Sequence, residues 1–281
     1  MSKDCNENQA MPVIVVKYGG NAMANDALKK QVIKNICHLH DHGYKVVIVH
    51  GGGPFIKKAL LQAKIESDFI DGHRVTTSEA LEHVETTLKG QVNGSLVKLV
   101  NQLGYKAVGL SGKDGKIALA VKRLYRKVVD GSIVEHDLGF VGDVIRVDTR
   151  LIELLLSDSY VPVIACLAAD ENGNEYNING DMFAGHLAGA LKAEKFIVLT
   201  DVDGLRRDKD DASTLIPELR MRDIKNLRET NVIQSGMIPK IEACEIALEN
   251  GARTSVILNG TKPEQLLAAA NGEPVGTSVL P

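Results

Sequence analysis

Two unbroken apolar runs near the start of the chain each lead into a cluster of glycines. The segments are VIVVKYGG at residues 13–20 and VVIVHGGGP at residues 46–54. Apolar runs without alternation predict parallel strands buried on both faces. Glycines at strand ends leave backbone N–H groups open to an anion, and a following helix N-terminus adds a favourable dipole. Either turn alone is typical of any strand–helix connection, but the pair, with Lys17, predicts a phosphoryl-binding site.

Apolar periodicity in the rest of the chain predicts alternating helices and strands. Helical spacing occurs at residues 55–63, 81–103, 151–156, 182–191 and 238–249, and strand-like runs at 105–111, 117–121, 161–166, 196–200 and 254–258, around a polar hairpin region at 122–148. We therefore expect an α/β fold, a three-layer αβα sandwich around a mainly parallel central sheet. The turn-rich stretch DENGN at 170–174 places a boundary between an N-terminal lobe, 1–175, and a C-terminal lobe, 176–281.

Composition and charge exclude several classes of protein. The 281 residues are 44% hydrophobic and 25% charged, which is ordinary for a soluble globular protein. A net charge of -3 and 4% aromatic residues without tryptophan argue against a nucleic-acid partner. The four cysteines form no C-x-x-C pair, residues 1–10 lack an apolar signal core, and no apolar run reaches the ~18 residues of a membrane helix. We expect a cytoplasmic enzyme with no membrane association.

Several well-defined sequence motifs are absent. No G-x-x-x-x-G-K-[ST], no G-x-G-x-x-G between a strand and a helix, and no protein-kinase motif set occurs. His38 and His42 share a helix face, as zinc ligands would, but no third ligand follows at zinc-finger spacing. We therefore predict no metal site built from protein side chains.

Eight short motifs, in this order and spacing, carry a family resemblance. They are KYGGNAM at 17–23, HGGGP at 50–54, DGHRVT at 71–76, LSGKDG at 110–115, DLGFVG at 137–142, NINGD at 177–181, LTDVDGL at 199–205 and GMIPK at 236–240. From about residue 13 to its last strands the chain resembles the amino acid kinase family, and within it the N-acetylglutamate kinases. The resemblance implies the amino acid kinase fold and phosphoryl transfer from ATP, with Mg²⁺, to the side-chain carboxylate of N-acetyl-L-glutamate, a step of arginine biosynthesis.

The resemblance also implies roles for particular residues. Lys17 would lie on the acceptor side of the transferred phosphoryl group and Lys240 on the nucleotide side, with Asp181 holding both lysines. From the residues alone, Asp181 is equally a carboxylate in a first helical turn. Magnesium would be held chiefly by phosphate oxygens and water.

Two further sets of residues follow from the same resemblance. The acceptor would be bound by Gly52, Gly53, Arg74 and Asn177, with the Arg74 guanidinium gripping the second carboxylate. In isolation, an arginine in a polar loop is more often solvated. The nucleotide side would be formed by Gly19, Gly20, Thr200, Asp201, Gly204 and Gly236. We prefer a nucleotide loop at 201–204 to an acidic metal-binding pair.

Two alternatives stay open on the sequence. One is a kinase for another acceptor on the same fold: acetylaminoadipate, which differs by one methylene, or aspartate, glutamate or carbamate. The other is a non-catalytic sensor of amino acids or nucleotides. A sensor has no need for Lys17, Asp181 and Lys240 together, so their presence favours an enzyme.

The long helical stripe at 81–103 raises the question of assembly. Its apolar positions either cover the sheet or meet a second copy, and the resemblance implies a homodimer. Arginine-sensitive members of the family resemble one another in a long N-terminal helix. Residues 1–12 here are too polar for such a helix, and the stretch 263–277 lacks the histidine and phenylalanine expected beside an arginine site. We therefore expect an arginine-insensitive dimer.

Overall fold

A computed structural model of the protein describes residues 11–20, 23, 25–70, 73–129 and 132–281. Most of the N-terminal segment on which the arginine prediction depends, together with Asn21, Ala22, Asp71 and Gly72 of the family motifs, lies outside the described residues.

The centre of the fold is an eight-stranded sheet. In spatial order its strands are β12 (Glu218–Arg220), β14 (Thr277–Leu280), β13 (Ser255–Asn259), β11 (Lys195–Thr200), β1 (Val13–Tyr18), β2 (Lys45–His50), β8 (Tyr160–Ala165) and β5 (Lys106–Ser111). All neighbouring pairs are parallel except β13 with β14. Because parallel strands are buried on both faces, the long strands read as uninterrupted apolar runs, and the predicted mainly parallel sheet is confirmed.

Helices cover both faces of this sheet. They are α1 (Asp26–Asp41), α2 (Gly53–Ala63), α3 (Ser78–Glu85), α4 (Gly94–Gln102), α5 (Arg150–Ser157), α6 (Gly180–Ala190), α7 (Met221–Glu229), α8 (Ile238–Glu249) and α9 (Gln265–Ala270). Even-numbered residues of β1, such as Ile14, pack in one apolar layer with α1, α4 and α9, whereas Val15 packs in the other with α2, α6 and α8. This alternation across the pleat produces the three-layer αβα sandwich that the sequence predicted.

A smaller sheet packs beside the main one and closes on itself. It contains β6 (Ala118–Val129), β7 (Ser132–Val147), β9 (Leu167–Ala169) and β10 (Glu175–Ile178). A short hairpin, β3 (Phe69–Ile70) and β4 (His73–Arg74), forms a two-stranded sheet of its own, with β4 in contact with β7. The sequence predicted a hairpin region at 122–148 but not its closure. The boundary between 175 and 176 falls inside β10 and stays a prediction, since β1 and β11 join the two predicted lobes in one sheet.

The long helix at 81–103 is continuous but changes character in the middle. Between α3 and α4 the segment Thr86–Asn93 is π-helical. Val84 and Leu88 pack against one layer of the core, and Leu96 and Leu99 against the other. The apolar stripe is therefore largely used within the chain, and the sheet-covering alternative accounts for most of it.

Candidate active site

The carboxyl ends of β1 and β2 open into a cavity of about 200 Å³. Its lining includes predicted residues from four segments of the chain, namely Lys17, Gly19, Gly20, Gly52, Gly53, Arg74, Asn177 and Asp181. A second cavity, of about 390 Å³, holds the remaining predictions, namely Thr200, Asp201, Gly204, Gly236 and Lys240. The structure thus brings the predicted site residues into two groups, and ligands at the carboxyl ends of parallel strands are the rule for open α/β sheets.

A buried carboxylate links the two cavities through a pair of lysines. Asp181 Oδ1 lies 2.7 Å from Lys17 Nζ, and Asp181 Oδ2 lies 3.6 Å from Lys240 Nζ. Lys17 is the penultimate residue of β1, Asp181 is in the first turn of α6, and Lys240 is in the first turn of α8. Asp181 is therefore paired with both lysines, and its role as their organiser stays a prediction.

The charge of this carboxylate is set by two opposing effects. Burial is the larger single effect and raises the pKa of Asp181, but the charges of Lys17 and Lys240 and their hydrogen bonds together outweigh it. The net result is a pKa below the usual range. The side chain of Asn179, not Asp181, caps α6 by accepting hydrogen bonds from the backbone N–H groups of Asp181 and Met182. Asp181 therefore does not cap the helix, and its carboxylate remains ionised between the two lysines.

Glycine limits crowding where the backbone approaches this centre. A Cβ on Gly19 would lie 2.9 Å from Lys17 Nζ, and Gly20 has a positive φ of 75° and faces Asp201. On the second turn, a Cβ on Gly52 would lie 2.6 Å from Leu88 Cδ2, a side chain of the π-helical segment. Both turns therefore present bare backbone to the cavity.

One wall of the first cavity carries a nearly buried guanidinium. Arg74 is 7% exposed, lies with its Cζ 4.4 Å from the ring centroid of Phe69, and donates to Ser67 Oγ and to the Gly53 carbonyl. Burial lowers its pKa. The structure thus excludes the solvated-surface alternative for Arg74.

Two hydrogen bonds through Thr76 connect Asn177 to the same wall of the cavity. Asn177 Nδ2 donates to Thr76 Oγ1 at 3.3 Å, and Thr76 Oγ1 donates to the Arg74 carbonyl at 2.9 Å. The amide of Asn177 and the guanidinium of Arg74 are therefore held on one side of the cavity, in position to bind a polar, anionic ligand.

The second cavity contains residues that the sequence analysis did not single out. Arg206, Lys209, Val232 and Met237 line it beside the predicted ones, so cationic and apolar groups occur together. Asp203 does not point to a metal: its carboxylate is bound by Lys262 at 2.6 Å, Asn259 at 2.9 Å and Arg206 at 3.2 Å. This arrangement supports a nucleotide loop rather than an acidic metal pair. Within the described residues, no three His, Cys, Asp or Glu side chains are grouped to hold a metal ion.

The sequence analysis also missed a buried polar pair behind the second glycine turn. His50 is fully buried and Asn93 is 3% exposed. Asn93 Nδ2 lies 2.9 Å from His50 Nε2, and His50 Nδ1 lies 3.0 Å from the Gly51 carbonyl. No periodicity links positions 43 residues apart, so only their shared burial in the fold reveals the pair.

Comparison with known proteins agrees with this geometry. Residues 12–259 match the model of the amino acid kinase family. The chain belongs to that family. An acetylglutamate kinase from Heliobacterium modesticaldum is 45% identical over 95% of this chain and 91% of its own length, and one from Methanocaldococcus jannaschii is 42% identical over 95% and 90%. An acetylglutamate kinase from Geobacter metallireducens is 46% identical over 88% and 84%. The resemblance inferred from the eight motifs is confirmed.

Solved structures of the amino acid kinase fold superpose on the chain at lower sequence identity. The smu.665 protein of Streptococcus mutans gives a TM-score of 0.74 at 27% identity, covering 95% of this chain and 98% of that one. N-acetylglutamate synthase from Neisseria gonorrhoeae, complexed with coenzyme A and N-acetyl-glutamate, gives 0.79 at 23% identity, covering 96% and 59%. Giardia carbamate kinase gives 0.69 at 18% identity, covering 96% and 99%. The last two likenesses show the fold alone. Among the described residues of this family member, no helix is long and apolar enough to cross a membrane.

The buried histidine predicts an acid-dependent loss of stability. Burial, with a smaller contribution from the Lys89 charge, lowers the pKa of His50 to about 4, although its hydrogen bond to Gly51 opposes the shift. The unfolded chain therefore binds more protons than the folded one between about pH 6.5 and 4, so stability falls as pH falls through this window. Between pH 7 and 5 the loss from this group is on the order of 2 kcal/mol.

Urea unfolding of the wild type and of His50→Asn at pH 7 and pH 5 measures this contribution. Between pH 7 and pH 5 we expect the unfolding free energy to fall further for the wild type than for the variant, because only the wild type carries the imidazole at position 50. Equal losses in the two proteins would contradict a neutral, buried His50.

Proposed function

We propose that the chain transfers a phosphoryl group from ATP to the side-chain carboxylate of N-acetyl-L-glutamate, the step of arginine biosynthesis that forms an acyl phosphate. The observation that carries the proposal is the pair of lysines held on one buried aspartate where two ligand-sized cavities meet. Relatives named acetylglutamate kinase, 42–46% identical over most of the chain, supply the acceptor.

The reaction requires charge neutralisation more than acid–base chemistry. A carboxylate acceptor is already ionised at neutral pH, so no general base is needed. The acceptor and the nucleotide are both anionic, and the enzyme has to hold them in line despite their repulsion. Lys17 stabilises the transferred group from the acceptor side and Lys240 from the nucleotide side, while Asp181 keeps the two ammonium groups apart and oriented.

The first cavity is the acceptor site in this proposal. Arg74 offers two parallel N–H groups to the α-carboxylate of the substrate, and Asn177 adds amide hydrogen bonds. Backbone N–H groups of Gly52 and Gly53 meet the reacting carboxylate. The near-complete burial of Arg74 strengthens these contacts, because little water competes for its guanidinium.

The second cavity is the nucleotide site. Thr200, Asp201, Gly204 and Gly236 line it, and Val232 and Met237 supply apolar contact. Gly19 and Gly20 line the first cavity instead, so their backbone would meet the terminal phosphate where the two ligands come together. Magnesium would enter with ATP, held chiefly by phosphate oxygens and water, and would neutralise charge on the phosphates.

A panel assay tests the proposal and its alternatives. ATP consumption is measured with acetylglutamate, acetylaminoadipate, aspartate, glutamate and carbamate as acceptors, and hydroxylamine traps the acyl phosphate. We expect the highest kcat/KM with acetylglutamate. The difference in kcat/KM between acetylglutamate and acetylaminoadipate should be the smallest, since one methylene changes the binding free energy by only about 1–3 kcal/mol. A higher kcat/KM with any other acceptor refutes the substrate, and no turnover with any acceptor favours the sensor.

Truncation of the lysines and truncation of the arginine should change different kinetic constants. Lys17→Ala or Lys240→Ala removes charge stabilisation that grows in the transition state, so we expect kcat to fall roughly 100-fold with a modest change in acceptor KM. Arg74→Ala removes ground-state anchoring, so its main effect should be a higher acceptor KM. Steady-state kinetics with each substrate varied separates the two patterns.

Lys225→Ala serves as the matched control, because this exposed lysine of α7 pairs with Glu229 and lines neither cavity. We expect it to retain kcat within about threefold. A Lys17→Ala enzyme with near-normal kcat would show that the phosphoryl site is assigned to the wrong residues.

We further propose a homodimer formed through the outer side of the long helix. The apolar stripe of this helix is already packed inside the chain, but its opposite side exposes Gly90, Gly94 and Ser95. A Cβ built on either glycine would meet no neighbouring atom within 4 Å. Small residues allow two copies of one helix to cross closely about a two-fold axis.

A cytoplasmic location is proposed as well, because Cys37, Cys166 and Cys244 are buried free thiols, as suits a reducing compartment.

Light scattering at micromolar concentration tests the dimer. We expect twice the 30.3 kDa chain mass for the wild type and a shift toward monomer for Gly94→Arg, which places a bulky charge in the crossing. Ser157→Arg, at an exposed position at the end of α5, is the control and should remain dimeric. A monomeric wild type contradicts the proposal.

A further inference from the structure

His50 lies where β2 turns into the Gly51–Gly53 backbone. It follows Val46 and Ile48 on one face of the strand, the face that packs against α1 and α4. Its neighbour there is Asn93, the last residue of the π-helical segment. A histidine and an asparagine thus meet inside a layer that is otherwise apolar. Apolar side chains of similar volume would fill this space without the cost of burying polar groups, so the pair calls for an explanation beyond packing.

The hydrogen-bond partners determine which nitrogen of His50 carries the proton. Asn93 Nδ2 lies 2.9 Å from the Val163 carbonyl and 3.3 Å from the Leu110 carbonyl. Carbonyl oxygens only accept, so the NH₂ group of Asn93 faces this side and also donates to His50 Nε2. The proton of the neutral imidazole is then on Nδ1, which donates to the Gly51 carbonyl at 3.0 Å.

This hydrogen bond fixes the orientation of a whole peptide unit. The Gly51 carbonyl and the Gly52 N–H belong to one planar trans peptide and point in opposite directions. Glycine on both sides leaves that plane with unusual rotational freedom. Since the carbonyl is held toward the buried imidazole, the Gly52 N–H is turned away from the core, toward the cavity that Gly52 lines.

The surrounding backbone leaves room for this arrangement. A Cβ on Gly109 of β5 would lie 2.1 Å from Asn93 Oδ1, so only glycine at 109 allows Asn93 to occupy its place. Lys89, one turn earlier in the π-helical segment, donates to the Gly109 carbonyl at 2.9 Å and secures the same contact. The asparagine is therefore built into the fold through several independent contacts.

We propose that His50, held by Asn93, is a positioning residue that aims the Gly52 N–H at the reacting carboxylate of the acceptor. This rests on the proposed function, in which Gly52 meets that carboxylate. His50 does not touch the substrate. It acts through the Gly51–Gly52 peptide, and its loss allows that peptide to rotate.

Two substitutions separate this role from a merely structural one. The side-chain nitrogen of asparagine occupies the place of Nδ1, so His50→Asn retains the donor to Gly51. The side-chain amide of glutamine occupies the place of Nε2, so His50→Gln retains the contact with Asn93 and loses the donor to Gly51. We expect His50→Gln to raise the acceptor KM about tenfold, as the loss of one hydrogen bond to a charged group does, with the ATP KM unchanged. His50→Asn should stay within about twofold of the wild type.

Val100→Ala is the matched control, because Val100 is fully buried in the same layer but is not among the residues lining either cavity. It should lower the melting temperature and leave both KM values unchanged. Equal acceptor KM values for His50→Asn and His50→Gln in an active enzyme would overturn the positioning role alone. A wild type without acetylglutamate kinase activity would overturn the proposed function as well.

If neither His50 variant folds, the acceptor KM of Asn93→Leu tests the proposal instead. It removes the hydrogen bond that holds the imidazole ring while keeping a similar volume. A selective rise in acceptor KM supports the proposal, and an unchanged acceptor KM overturns it.

Discussion

The site is organised by one buried carboxylate that binds two cations. Burying charged groups is costly, and it is tolerated here because Asp181 has an ammonium group near each of its oxygens. Two lysines and one aspartate leave an excess of one positive charge at the junction of the two cavities. That excess suits an anionic ligand, and it is the feature from which the catalytic proposal derives.

The fold is what brings these three charges together. Lys17 lies near the carboxyl end of β1 at the centre of the sheet, while Asp181 and Lys240 occupy the first turns of α6 and α8, two helices on the same face. The helix N-termini add their own partial positive charge to the site. A Cβ on Gly185 of α6 would lie only 2.5 Å from the Ala243 carbonyl of α8, so glycine there permits the close packing that sets the distance between the two helices.

Much of this could be predicted from the sequence, because local patterns carried it. Uninterrupted apolar runs identified the long parallel strands, and glycines after two of them identified the anion-binding turns. Arg74 and Asn177 have no local signal, since their neighbours are polar loops, and only the family motifs singled them out. The closure of the sheet of β6, β7, β9 and β10 was missed because the pairings that close it, β7 with β10 and β6 with β9, join segments far apart in the chain. The same is true of His50 and Asn93, whose partnership exists only after the sheet and the long helix have packed.

The burial of polar groups extends outward from the charged centre. Asp181 orients the lysines, Thr76 connects Asn177 to the strand carrying Arg74, and Asn93 holds the histidine behind the second glycine turn. Each of these contacts fixes a group at the edge of a cavity. Such support is what keeps a site in its working geometry when no ligand is bound.

The kinetics of Asp181→Asn test the central claim most directly. This change preserves size and removes only the negative charge that organises Lys17 and Lys240. The account predicts a kcat reduced roughly 100-fold in a folded protein that still binds both substrates, because the lysines remain but are no longer held in place. A folded Asp181→Asn enzyme with wild-type kcat would contradict it.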